Sequence, residues 1–176
     1  MSAKYSVGKV MIEESEIAQR AKEIGQIITD EFAGQEVLVI GILKGAVMWL
    51  SDVVRNIELD VSMDFMAVSS YGASTKSSGV VKIVKDLDSP IEDKNVIVVE
   101  DIVDSGVTLN YIKSYLLGMN PKSLRICTLL DKPSGRQIEI DVDYVGFTVE
   151  DKFIVGYGLD FNQKYRNLPY ITCLED

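Results

Sequence analysis

The chain has 176 residues, of which 27 are Asp or Glu and 18 are Lys or Arg, giving a formal net charge of −9. This length predicts one domain over residues 1–176, with enough apolar side chains for a buried core. The sequence contains no histidine, which excludes a Ser-His-Asp triad, a Cys-His pair and a histidine general base. The acidic balance argues against a nucleic-acid partner but allows a small anionic substrate that is bound by a metal ion and local cations.

Cysteine usage and hydropathy indicate a cytoplasmic protein. Cys127 and Cys173 show no CxxC spacing, as expected of reduced thiols in the cytosol. No stretch approaches the roughly 18 apolar residues of a membrane span, and the first residues lack the apolar segment of a signal peptide. We therefore expect no membrane partner.

Apolar runs in the first half of the chain predict alternating helices and strands. Ile17, Ala21, Ile24 and Ile28 recur at helical spacing, which predicts a helix over residues 15–32. A buried strand is predicted over residues 37–43, followed by a helix over residues 46–57 and a strand over residues 61–69. A polar loop over residues 70–79 then leads to another strand over residues 80–87.

The second half of the chain continues the alternation. Residues 96–99 form a predicted buried strand, and the helix after it carries Leu109, Ile112 and Leu116 on one side and ends near Gly118. Further strands are predicted over residues 124–130, 143–149 and 153–157. This order predicts an α/β fold with a parallel sheet covered on both faces, in which ligands bind beyond the carboxyl ends of the strands.

The segment after the strand at residues 96–99 carries the strongest functional signal. Glu100 and Asp101 end the strand and Asp104 follows, and carboxylates in such a place can hold hydroxyl groups or a divalent metal. The turn at residues 104–108 contains a glycine and precedes a helix, so its backbone N–H groups can converge on a phosphate. Alternatively, Asp104 or Ser105 caps the helix. A cap requires one acceptor, whereas three acidic residues are present.

The string VIVVEDIVDSGVTL at residues 96–109 resembles the phosphoribosyl-pyrophosphate motif of type I phosphoribosyltransferases. This resemblance implies a parallel twisted sheet flanked by helices, with a small hood formed by the N- and C-terminal segments. It assigns Glu100 and Asp101 to the ribose hydroxyls and to magnesium. The residues that it assigns to the phosphoribosyl group and its 5′-phosphate are Glu100, Asp101, Asp104, Ser105, Gly106, Val107 and Thr108.

Other segments, which span nearly the whole chain, resemble the hypoxanthine-guanine branch of this family. The resemblance places Lys44, Gly45 and Arg166 at the pyrophosphate, and the peptide that matches Leu43–Lys44 is often cis in the family. It assigns the start of a flexible lid to Ser70 and Tyr71. The residues that it assigns to the purine are Lys132, Phe153, Ile154 and Asp160.

Residue chemistry agrees with this purine site, although each residue has a simpler interpretation. Lys132 offers only hydrogen-bond donors and therefore favours a carbonyl at purine position 6, as in hypoxanthine and guanine. Phe153 offers a ring face for the base, and the backbone carbonyl of Ile154 offers an acceptor. The simpler interpretations are a solvated surface lysine, an aromatic core residue and, for Lys44 and Arg166, ordinary surface cations.

The resemblance also implies a mechanism. Asp104 takes the proton from purine N7 as N9 attacks C1′ of the ribose, and Mg²⁺ is held by Glu100, Asp101 and Asp160. Two residues depart from the family pattern. Val107 replaces a lysine of some members, and Ala46 replaces a second glycine of some relatives.

The implied activity is purine salvage, in which phosphoribosyl pyrophosphate and hypoxanthine or guanine give IMP or GMP. The resemblance further implies a homo-oligomer, either a dimer or a tetramer, and no nucleic-acid partner. One alternative is a sibling transferase that prefers xanthine. A second is a non-catalytic regulator that senses phosphoribosyl pyrophosphate, but the charge of −9 and a first core strand as early as Val37 argue against it. The least specific alternative is a generic α/β nucleotide-binding domain.

Overall fold

Strands and helices alternate along most of the chain in the computed structural model, which describes residues 6–70 and 81–175. The strands are β1 (Ser6–Ile12), β2 (Val37–Leu43), β3 (Val61–Ser70), β4 (Val81–Lys85), β5 (Asn95–Val103), β6 (Ser123–Asp131), β7 (Tyr144–Thr148), β8 (Ile154–Val155) and β9 (Ile171–Glu175). The helices are α1 (Glu14–Glu31), α2 (Val47–Val54) and α3 (Val107–Leu117), and a short 3-10 turn covers Pro133–Gly135.

A six-stranded sheet with the order β4-β3-β2-β5-β6-β7 forms the centre of the fold. All neighbouring strands in it are parallel except β4, which pairs antiparallel with β3 at one edge. The middle strands β2 and β5 are continuous apolar runs because both of their faces are covered. The α/β fold class and its parallel sheet are therefore confirmed.

The two faces of this sheet pack against different helices. Ile24 of α1 and Trp49 of α2 lie on one face with Val39 and Ile97, and all four side chains are buried. On the other face, α3 packs through side chains that include Ile112. Because alternate residues of a strand point to opposite faces, one apolar strand serves both cores. The carboxyl ends of β2, β5 and β6 are thereby held at one edge of the sheet.

A second, three-stranded antiparallel sheet joins the two ends of the chain in the order β1-β9-β8. The buried hydroxyl of Thr172 in β9 lies 2.9 Å from the carbonyl oxygen of Gly8 and 2.8 Å from that of Lys9 in β1. This sheet is the hood that we expected from the terminal segments, and β8 forms its open edge.

Most predicted element boundaries shift by one or two residues, and three elements differ in ways that matter for the site or the packing. β5 continues to Val103, so Glu100 and Asp101 lie within the strand rather than after it. The strand predicted over residues 153–157 shrinks to Ile154–Val155, because Gly156 and Tyr157 have φ of 102° and 48° and leave the extended region. The helix predicted over residues 46–57 covers only Val47–Val54. Among the described residues, no helix is long and apolar enough to cross a membrane.

Candidate active site

Two adjacent carboxylates lie near the carboxyl end of β5. Glu100 is buried, and its carboxylate accepts a hydrogen bond from the N–H of Asp101 at 3.0 Å. The carboxylate of Asp101 accepts from the N–H of Ile102 at 2.8 Å. These bonds fix both side chains beside the strand that bears them.

Burial controls the protonation of this pair. Burial raises the pKa of Glu100 well above its usual range, and the neighbouring charge of Asp101 acts in the same direction. Burial also raises the pKa of Asp101, while hydrogen bonds from Glu100 and the backbone and the charge of Arg166 oppose that rise. A cation placed here would remove the cost of holding two negative charges away from water.

The turn after β5 encloses a small cavity. Gly106 adopts φ of 81° and immediately precedes α3, whose first turn has no side-chain cap. A cavity of about 100 Å³ lies inside the turn, lined by Glu100, Ile102, Val103, Asp104, Ser105, Gly106, Thr108 and Leu109. None of the described residues accepts a hydrogen bond from the backbone N–H of Ser105, Gly106 or Thr108. These N–H groups are therefore free to bind an anion in the cavity. Helix capping by Asp104 or Ser105 has little support, since the one such contact that the described residues make is a long one of 3.4 Å from the N–H of Val107 to the Ser105 hydroxyl.

The loop after β2 lies directly against these acids. The Leu43–Lys44 peptide bond is cis. A Cβ atom on Gly45 would lie 1.6 Å from an oxygen of Asp101, and one on Gly158 would lie 2.1 Å from the carbonyl oxygen of Gly45. Only glycine permits this contact between the loop, the acidic strand and the segment after β8.

Gln163 connects the cations predicted at the pyrophosphate. Its side-chain oxygen accepts from Nζ of Lys44 at 3.2 Å and from Nη2 of Arg166 at 3.4 Å. Arg166 also pairs with Asp160 at 2.8 Å and donates to the carbonyl of Gly158 at 2.6 Å. The buried Nε of Arg166 has no hydrogen-bond partner among the described residues. The cations are therefore gathered at one side of the acidic pair.

Lys132 and Asp104 form an ion pair beside the cavity. Nζ of Lys132 lies 2.8 Å from Asp104 and 3.3 Å from Asp151. The lysine side chain is 11% exposed and that of Asp104 is 49% exposed, so Asp104 retains contact with solvent. Burial by itself would lower the pKa of Lys132, but hydrogen bonds and charges from the two carboxylates outweigh burial and raise this pKa. Lys132 is therefore positively charged at neutral pH.

An aromatic ring and an open strand edge lie in the next segment. Phe153 is 57% exposed and makes an edge-to-face contact with Phe161 at 5.4 Å. Ile154 lies opposite Cys173, and the N–H of Leu174 donates to the carbonyl of Phe153. Because bonded and non-bonded pairs alternate in an antiparallel ladder, the backbone groups of Ile154 face away from β9. Its carbonyl therefore lies on the edge of β8 that does not pair with β9, although the residue as a whole is buried.

Comparisons with known proteins identify the family. Residues 11–162 match the phosphoribosyl transferase domain. The chain is 50% identical over 172 residues to the hypoxanthine-guanine phosphoribosyltransferase of Bacillus subtilis (strain 168). The matched residues cover 98% of this chain and 96% of that relative. It belongs to the hypoxanthine-guanine phosphoribosyltransferase family.

Solved structures of phosphoribosyltransferases share this fold. A hypoxanthine-guanine phosphoribosyltransferase from Bacillus anthracis has a TM-score of 0.91 at 43% identity, with 98% of this chain and 100% of that chain covered. A hypoxanthine phosphoribosyltransferase from Staphylococcus aureus has a TM-score of 0.93 at 45% identity, with 96% and 92% covered, respectively. The type I phosphoribosyltransferase fold is thereby confirmed.

Several residues predicted from the phosphoribosyltransferase motifs lie together in the structure, and others remain untested. The structure pairs Lys132 with Asp104 and places Gly45 against Asp101. Ser70 ends β3, whereas Tyr71 and the rest of the predicted lid lie outside the described residues. Four further residues contact the predicted site residues without belonging to a recognised motif, because their contacts cross between segments that are distant in sequence: Asp151, Gln163, Gly135 and Arg136.

The acidic pair suits the magnesium ion expected in this family. No three Asp, Glu or Cys side chains in the described part of the chain are close enough to hold a metal by themselves. Mg²⁺ is usually held by one or two carboxylates together with substrate phosphates and water, so a preformed cage is not required. Glu100 and Asp101 offer such oxygen atoms, while Asp160 is paired with Arg166.

Proposed function

We propose that this chain transfers the 5-phosphoribosyl group from phosphoribosyl pyrophosphate to hypoxanthine or guanine, forming IMP or GMP and pyrophosphate. The observation that carries the proposal is the placement of the Asp104–Lys132 pair beside an anion cavity at the carboxyl end of the central sheet. One group can remove a proton from a purine, the other can bind a purine carbonyl, and the cavity fits the sugar phosphate. The names of the relatives from B. subtilis and B. anthracis support the same substrates.

The sugar substrate occupies the turn and the neighbouring loop in this proposal. Backbone N–H groups of residues 105–108 bind the 5′-phosphate, and Glu100 and Asp101 accept hydrogen bonds from the ribose hydroxyls. Lys44 and Arg166 bind the pyrophosphate, whose charge this acidic protein must neutralise locally. Glu100 and Asp101, with Asp160 as a further ligand, would hold Mg²⁺, which would supply additional charge neutralisation for the leaving group.

The purine binds on the opposite side of Asp104. Lys132 donates to O6, the carbonyl of Ile154 accepts from the purine edge, and Phe153 stacks on the ring. Purine N9 forms a bond to C1′ while the bond from C1′ to the pyrophosphate oxygen breaks. Asp104 accepts the N7 proton, which a positioned carboxylate can do without histidine.

The test mixes the protein with phosphoribosyl pyrophosphate, Mg²⁺ and one of hypoxanthine, guanine, xanthine or adenine, and follows nucleotide formation by absorbance. We expect IMP and GMP, no AMP, and loss of activity when EDTA removes the metal. Faster turnover of xanthine would favour the xanthine-preferring alternative. Binding of phosphoribosyl pyrophosphate without any nucleotide product would favour a non-catalytic sensor.

A cytoplasmic location is part of the proposal. Cys127 is buried and Cys173 is partly buried, and both are free thiols. Free thiols persist in reducing compartments, where phosphoribosyl pyrophosphate is also needed for nucleotide synthesis.

A further inference from the structure

The turn at residues 104–108, which we call the phosphate turn, is held from outside the cavity. The segment that follows β6 donates hydrogen bonds to its carbonyl groups. Nη1 of Arg136 donates to the carbonyl oxygen of Asp104 at 3.2 Å. The N–H groups of Gln137 and Ile138 donate to the carbonyl oxygen of Ser105 at 2.9 and 3.0 Å. The residues that line the cavity come from β5, the turn and α3, so Arg136 contacts the backbone of the turn and not the cavity.

These bonds fix the direction of two backbone N–H groups. In a trans peptide unit, the C=O of one residue and the N–H of the next point in opposite directions. Holding the carbonyl of Asp104 outward therefore directs the N–H of Ser105 inward, and holding the carbonyl of Ser105 outward does the same for the N–H of Gly106. Neither of these N–H groups donates to a described residue.

Arg136 is itself held in place. Its side chain is 9% exposed, and Nη2 pairs with Asp131, the last residue of β6. β6 pairs in turn with β5 up to the contact between Asp131 and Val103, one residue before the turn. The guanidinium thus connects a strand end to the turn through two different nitrogen atoms, which an ammonium group cannot reproduce in the same geometry.

We propose that Arg136 is a positioning residue for the 5′-phosphate: it sets the orientation of the turn's backbone amides without contacting the substrate. The inference rests on the proposed function, because it assigns the cavity to the sugar phosphate. It predicts a selective defect. Ligands that carry the 5′-phosphate lose affinity when Arg136 is changed, whereas a ligand that lacks this phosphate does not.

The experiment compares the dissociation constants of IMP and inosine, which differ only in the 5′-phosphate, by calorimetry. Arg136→Met keeps much of the side-chain volume but removes the charge and the donors. We expect Kd for IMP to rise about tenfold or more, since a hydrogen bond from a charged group typically exceeds the 1.4 kcal/mol that a tenfold change requires. Kd for inosine should stay the same. In the steady state, KM for phosphoribosyl pyrophosphate rises and KM for hypoxanthine does not.

Two further variants separate positioning from folding. Arg136→Lys keeps a cation for Asp131, so it folds even if Arg136→Met does not, and we expect it to show the same selective loss for IMP. Arg125→Met removes an arginine that pairs with Glu31 near the other end of β6, and should leave both constants unchanged. The inference would be overturned if Arg136→Lys left the ratio of the Kd values for IMP and inosine unchanged, whether neither ligand or both ligands bound more weakly.

Failure of the proposed function gives a different result. In that case the wild-type protein forms no nucleotide and binds IMP no better than inosine, before any variant is examined. If the wild-type protein forms IMP and binds IMP more tightly than inosine, and Arg136→Lys shows the same preference, only the role of Arg136 is contradicted.

Discussion

Asp104, the base that we propose for a protein without histidine, pairs with Lys132. In the structure, the two side chains are 2.8 Å apart and satisfy each other. A purine with a carbonyl at position 6 and a proton on N7 offers each of them a new partner on the same edge of the ring system. The pair can therefore open onto the substrate without leaving either charge unsatisfied.

Replacing the proposed base tests its role at the level of one residue. Asp104→Asn keeps the shape of the side chain but cannot accept the N7 proton, so we expect kcat to fall by about 10²- to 10⁴-fold while phosphoribosyl pyrophosphate binds almost normally. Steady-state kinetics and binding of the sugar substrate measure the two quantities. Asp151→Asn is the matched control, because Asp151 also contacts Lys132 but is more exposed. Unchanged turnover in Asp104→Asn would remove this residue as the base.

The burial of Glu100 sets stability against function, because folding favours the neutral acid whereas metal binding requires the charged carboxylate. Because burial raises the pKa of Glu100 in the folded protein, the neutral acid favours folding, and this stability is lost as the pH rises from the ordinary pKa of a glutamate through the folded pKa. Glu100→Gln stays neutral. Without Mg²⁺, we expect the variant to match wild type at low pH and to exceed it increasingly at higher pH.

Urea unfolding in EDTA between acidic and mildly alkaline pH measures this difference in the free energy of unfolding. Each unit by which the folded pKa exceeds the unfolded value contributes about 1.4 kcal/mol. A constant difference between the two proteins at all pH values would contradict a buried, proton-holding Glu100.

At the scale of elements, the site depends on close contact between segments that follow different strands. The loop after β2 reaches the acids of β5 because Gly45 has no side chain, and the segment after β8 reaches this loop because Gly158 has none. Gly135, after β6, likewise lies against Asp104, where a Cβ atom would come within 1.8 Å of a carboxylate oxygen. Each glycine thus permits one contact between neighbouring segments.

Gly45→Ala tests this contact. The new methyl group must displace the carboxylate of Asp101 or the loop itself, so we expect a KM for phosphoribosyl pyrophosphate that is higher by about tenfold or more and a greater requirement for Mg²⁺. Gly34→Ala is the control, because a Cβ atom at this turn residue, whose φ is 74°, would meet no atom within 4 Å. We expect Gly34→Ala to cost stability of up to about 1 kcal/mol without affecting KM. Equal kinetics for both variants would contradict the proposed contact.

At the scale of the whole molecule, the two sheets contribute different parts of the proposed site. The central sheet presents the phosphate turn, the acidic pair and, directly after β6, Lys132, whereas the small three-stranded sheet presents the edge of β8 with Ile154. β8 is held by β9, and β9 is held by β1 from the other end of the chain. The purine side of the site therefore depends on pairing between the two terminal segments.

Weakening the small sheet should affect the two substrates differently. Thr172→Val removes the buried hydroxyl that links β9 to the carbonyls of β1, at a cost of about 1–3 kcal/mol in stability. We expect KM for hypoxanthine to rise more than KM for phosphoribosyl pyrophosphate. Thr29→Val is the control, since its hydroxyl donates to the carbonyl of Gly25 in α1 and accepts from the N–H of Glu58, and neither partner belongs to the small sheet. A larger effect on the sugar substrate than on the purine would contradict the division.

Much of the central sheet was predictable because its signals are local. The apolar runs of β2, β5 and β6 are continuous in sequence, and the periodicity of α1 appears within 18 residues. The acidic turn at residues 100–108 is also one uninterrupted segment. Each of these features depends only on residues that are close together in sequence, and sequence patterns predict such features reliably.

The remaining features were decided by tertiary structure. β1 and β9 carry no strong strand pattern, and they become strands by pairing with each other although residues 13–170 separate them in sequence. The hydrogen bonds from Arg136 to the phosphate turn and from Lys44 to Gln163 join segments that are distant in sequence, and no sequence pattern predicts them. Sequence by itself determined which chemical groups the protein carries and which strands bear them. Only the folded chain decided which groups touch, because contacts between distant segments depend on the packing of the whole sheet.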